Sequence, residues 1–69
     1  MKYQVFARLG KGDDTTYIGG VEAPNDRLAR VYAYEMYDEE DWDYLAVARD
    51  EDVIEVDVED PPTAGGGPP

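Results

Sequence analysis

Residues 2–9, KYQVFARL, alternate along the chain: Tyr3, Val5, Ala7 and Leu9 fall on one side, Gln4, Phe6 and Arg8 on the other. A period of two is the spacing of a strand, and Phe6 among the polar positions implies that the second face is also partly covered. Residues 15–22, TTYIGGVE, are β-branched and aromatic around Gly19 and Gly20. They predict a second strand that carries a bulge or lets another group approach its backbone closely. The intervening GKGDD fits a hairpin loop of about five residues in which glycine supplies positive φ.

After Pro24 the period changes. Asn25 is an N-cap, Asp26 suits the first helical turn, and Asp26 and Arg30 have the spacing of an i,i+4 pair. Leu28, Ala29, Val31, Tyr32, Ala33 and Met36 form one broad apolar face over about three turns, with Arg27, Arg30, Tyr34 and Tyr37 placed opposite. The run DEEDWD stops the helix, because carboxylates oppose the negative end of its dipole. Trp42 in that run is expected to close an edge of the core. YLAVAR, 44–49, is nearly all apolar and predicts a strand buried on both faces. VIEVDV, 53–58, alternates cleanly and leaves two readings open, a fourth strand at the sheet edge or an extended arm. The pattern as a whole predicts an α+β domain over residues 1–58, a small antiparallel sheet with one helix packed across it in the order ββαβ(β). Residues 59–69, ending in PPTAGGGPP, are expected to form a disordered tail.

Composition sharpens the picture. A domain of about 60 residues buries only roughly 60% of its unfolded surface and is marginal. The chain has no cysteine and no histidine, so neither disulfides nor the usual zinc sites can help it, and association is the support that remains. There are 17 acidic residues against 6 basic, a net charge of −11. Such a surface repels nucleic acid and anionic membrane, whose recognition requires Lys and Arg. A hydrophobic fraction of 42%, with six tyrosines and one tryptophan, speaks for a folded core rather than disorder. The carboxylates are spread over every segment and lysine is scarce, as in proteins of salt-in halophilic archaea, where salt screens the self-repulsion. No apolar run approaches the roughly 20 residues of a membrane span, and the expected location is cytoplasmic.

The candidate chemistry is sparse. RLGKGDDTTYIGG has the ingredients of a phosphate-binding loop. A Walker loop, however, needs its lysine after the last glycine and a helix behind it, and here Asp13 and Asp14 would repel a phosphate. A hairpin turn is the reading adopted. The acidic runs Asp38–Asp43 and Asp50–Asp52 lack the glycine of an EF-hand loop and read as solvated faces. No catalytic, metal-binding or cofactor-binding residue is assigned. Arg27, Arg30, Tyr34 and Tyr37 remain as the candidate interface, since arginine and tyrosine are enriched at interface cores.

Several of these residues also carry a resemblance. Tyr3 to Arg8 (YQVFAR), Gly12, Tyr17 to Ala23 (YIGGVEA), and Ala29 and Ala33 ahead of Glu35-Met36-Tyr37 resemble the PaaB family, with no gap between Tyr3 and Tyr37. Tyr44 to Arg49 and Asp52-Val53-Ile54 resemble its next strand, allowing a small deletion. PaaB proteins are the small B subunits of the multicomponent ring-1,2-phenylacetyl-CoA epoxidase. The chain departs from the family where histidines are common (Thr15 and Tyr17 here) and where paired arginines follow the helix (Glu39 and Glu40 here). The resemblance implies a non-catalytic bridging subunit without a cofactor of its own, partnered with larger oxygenase subunits; a homodimer is expected from the small core, which needs a partner. Two other readings stand beside it. One is a ubiquitin-like archaeal modifier with a β-grasp fold, suggested by Gly65–Gly67 but opposed by Pro68 and Pro69, which follow them. The other is a stand-alone dimeric binding domain.

Overall fold

The computed structural model describes residues 1–63, and the Gly65–Gly67 run lies outside them. Its elements are β1 (Lys2–Arg8), β2 (Thr16–Glu22), α1 (Asp26–Met36), β3 (Tyr44–Arg49) and a 3₁₀ turn at Asp50–Asp52. The expected ββαβ order and the α+β class are both present. β1 is the central strand of a three-stranded sheet, antiparallel to β2 on one side and to β3 on the other. The β2–α1–β3 connection therefore crosses β1, and that crossing lays the helix over one face of the sheet.

The alternation in β1 decides which face is covered. Tyr3, Val5 and Ala7 are all at most 1% exposed. They meet Val21, Ala23, Ala29 and Ala33, and Ile18, Leu28, Tyr32, Tyr37, Leu45 and Val47 pack around this cluster. The two helix positions buried deepest are alanines, which let α1 come close to so small a sheet. Asn25 caps the helix as expected, its side-chain oxygen accepting from the Leu28 N–H at 2.9 Å.

The glycine pair does what the pattern predicts. Val5 pairs with Gly19 but Phe6 pairs with Tyr17, so Ile18 is the extra residue of a bulge. Gly19 has φ +155°, and a Cβ there would lie 2.8 Å from Cζ of Tyr37. The Tyr37 hydroxyl donates to the Gly20 carbonyl at 3.1 Å. The hairpin loop is a plain turn: Gly12 takes φ +92°, the Asp13 N–H donates to the Gly10 carbonyl, and a strand follows, not a helix.

Three expectations need correction. Tyr37 is half-buried against the sheet and does not point outward, because α1 ends at Met36 and Tyr37 leaves helical geometry at φ −119°, ψ 40°. Val31 and Met36, assigned to the buried helix face, are 42% and 60% exposed, since three strands are too narrow to cover that face. β3 is half-buried along most of its length, because α1 covers one face of the sheet alone. Of the two readings open for residues 53–58, the structure has the extended arm and no fourth strand, with Ile54 90% and Val58 83% accessible.

A candidate docking groove beside the third strand

Arg27, Arg30, Val31 and Tyr34 stand at i, i+3, i+4 and i+7, the spacing that places residues on one flank of a helix. That flank overhangs the outer edge of β3. Together they enclose an open groove of about 510 Å³, lined also by Leu45, Ala46 and Val47 of β3 and by Glu35. Three of the four candidate interface residues, Arg27, Arg30 and Tyr34, are thus brought together. Tyr37 is not, for the reason given above. Sequence reasoning missed the β3 side, because it placed Leu45 and Val47 in a strand covered on both sides. It also missed Val31, which it counted as core. The i,i+3,i+4,i+7 stripe was the available signal.

The arginines of the groove differ from the other two because, among the described residues, no carboxylate pairs with them. Arg8 pairs with Asp43 at 2.8 Å and stacks over the Tyr44 ring at 5.2 Å. Arg49 pairs with Asp26 at 2.7 Å. The anticipated Asp26–Arg30 pair does not form, because Asp26 turns toward β3. Its Oδ1 accepts from the Tyr3 hydroxyl at 2.8 Å and from Arg49 Nε at 3.0 Å. Arg27 and Arg30 make no ion pair among the described residues. The hydrogen bonds from Arg49, and then from Tyr3, hold the Asp26 carboxyl down at about 2. Desolvation by burial pushes the Tyr3 phenol up, and its bond to Asp26 adds to the shift. Bonding to Asp26 also holds Arg49 more firmly in its charged form. This cluster ties the start of α1 to the ends of β1 and β3, so the groove has a fixed wall at that end.

A second surface lies on the opposite face of the sheet. Phe6 and Tyr17 meet edge to face with centroids 5.9 Å apart. Tyr17 is 60% and Tyr44 45% exposed, with the guanidinium of Arg8 over the Tyr44 ring. At the helix end, Trp42 donates its indole N–H to the Tyr37 carbonyl and closes the junction into β3.

Among the described residues, no three Asp, Glu, His or Cys side chains gather as a metal site would require, and no helix is long and apolar enough to cross a membrane. What the groove offers is an apolar lining, a free strand edge, a phenol and two uncommitted guanidiniums. Those groups suit an extended polypeptide. No protein-family model matches the chain, and no curated protein or solved structure is significantly similar to it.

Proposed function

We propose that the chain is a non-catalytic bridging subunit that works by holding other polypeptides together. The observation that carries this reading is the presence of two separate contact surfaces on one small domain: the α1–β3 groove and the aromatic sheet face of Phe6, Tyr17 and Tyr44. Bridging needs two surfaces, and aromatic and arginine side chains are what interface centres are made of. The resemblance of Tyr3–Tyr37 to the PaaB family supplies the partners. These are the larger oxygenase subunits of a phenylacetyl-CoA epoxidase-type complex, in the cytoplasm of a halophile. The sheet face meets those subunits, and the groove serves the chain's own association. Catalysis and cofactors belong to the partners.

Co-expression with the candidate oxygenase subunits at high salt tests this. The chain is expected to co-purify with them and to show no oxidation activity alone. Tyr17→Glu should abolish co-purification while leaving the circular dichroism spectrum intact, because Tyr17 is exposed. Loss of residues 61–69 should leave binding unchanged. A chain that never co-purifies with any of these subunits overturns the bridging reading.

A further inference from the structure

We propose that the α1–β3 groove is filled by the Val53–Val58 arm of a second copy, added as a fourth strand to the free edge of β3, in a reciprocal exchange that makes a homodimer. The arm has the pattern of a strand and lacks a partner. Ile54, Val56 and Val58 alternate with Glu55 and Asp57, and the three aliphatic side chains are 90%, 60% and 83% exposed. Six residues extend about 20 Å, at roughly 3.4 Å each. That is the length of β3, which also has six residues.

The two sheet edges are not equivalent. β2 is blunted by its bulge at Ile18 and by Gly19. β3, YLAVAR, has no bulge, no proline, no glycine and no charge before Arg49. Natural edge strands are protected by such devices or by being covered, and β3 lacks the devices. An added strand would put Ile54, Val56 and Val58 against Leu45, Val47, Val31 and the Tyr34 ring. Glu55 and Asp57 would then stay in solvent on the other face. Arg27 and Arg30, which make no ion pair among the described residues, line the helix side of the groove and lower the repulsion an acidic arm meets there, although Glu55 and Asp57 point to the opposite face and pair with neither.

The arm of the same chain is aimed elsewhere. After Arg49 the chain enters the 3₁₀ turn, and Gln4 Nε2 donates to Asp50 Oδ1 at 3.0 Å. Gln4 lies on β1, the inner neighbour of β3, so this contact draws the arm's root away from its own groove. Two copies related by a twofold axis can each satisfy the other, as an isologous interface requires.

The inference stands independently of the oxygenase partners and is tested on the full chain in 2 M KCl. Light scattering is expected to give a dimer for the parent. The double variant Ile54→Asp, Val56→Asp should be a monomer at tenfold higher concentration, losing only the small strand signal of the arm in the far-UV and keeping a cooperative melt, because those side chains are exposed in the single chain. The chain has no cysteine, so a Glu55→Cys copy mixed with an Ala46→Cys copy should form a disulfide between differently tagged chains. A dimer that survives the double variant, cross-links confined within one chain when both cysteines are placed in it, or a parent that stays monomeric at every concentration each overturns the proposal. Co-purification failure with an intact dimer would sink the bridging function and leave the arm exchange standing.

Discussion

Asp26 joins three elements through one side chain, since from the first turn of the helix its carboxylate accepts from Tyr3 on the central strand and from Arg49 at the end of β3. Its pKa is depressed to about 2 in the folded chain, below its ordinary 3.8. A carboxyl whose folded value is lowered contributes stability above its unfolded value and loses that contribution as pH falls through the folded one. In thermal melts at high salt, Asp26→Asn should therefore melt below the parent at neutral pH. The gap should begin to close near pH 4 and vanish toward pH 2; a constant gap would mean that the ion pair contributes nothing. Gly19 sets a second limit at this scale. Because the ring of Tyr37 occupies the space where a Cβ would go, Gly19→Ala should cost about 1–3 kcal/mol by overpacking, read from urea midpoints. Tyr37→Phe removes only the bond to the Gly20 carbonyl and should cost roughly 1 kcal/mol.

Elements were legible wherever a short period and a local signal agreed. The alternation of β1, the Asn25 cap and the Gly19-Gly20 pair each announced what the structure contains. Asn25→Ala is expected to cost about 1 kcal/mol in denaturant melts, with the loss confined to the helix. What the pattern could not carry was width. A helical face is read from periodicity, but how much of it is covered depends on how many strands lie beneath. Three strands leave Val31 and the α1 flank uncovered, so residues read as core became the wall of a groove. Tyr37 failed for a different reason, as helical spacing was extended one residue past the place where the helix stops. Asp26–Arg30 failed because a tertiary partner, Arg49, outcompeted the local one. The groove was half visible: its arginines and Tyr34 stood out by residue type, whereas Leu45 and Val47 were hidden in an apolar run whose surroundings no sequence window contains.

For the molecule as a whole, charge sets the conditions under which the rest applies. At −11 on a chain this small, self-repulsion competes with a core of seven buried residues, most of them small. The Debye length grows from about 3 Å at 1 M salt to about 30 Å at 0.01 M. Far-UV circular dichroism is thus expected to show a cooperative melt in 2 M KCl and a loosened chain in 10 mM buffer. Identical melts in the two would show that the core withstands the repulsion unaided. Association should follow the same dependence, since each arm brings more negative charge to its partner. Trp42 offers a way to watch these events. It is the chain's single indole, half-buried and tethered to the carbonyl of Tyr37, the residue that caps the end of α1, in a fold that also holds six tyrosines. Excited directly, it emits from one corner of the domain and reports the release of the helix end. Excited through the tyrosines, its emission depends on their distances and reports the collapse of the whole sheet. Two wavelengths applied to one unlabelled sample would therefore separate fraying at the cap from global unfolding as salt is withdrawn.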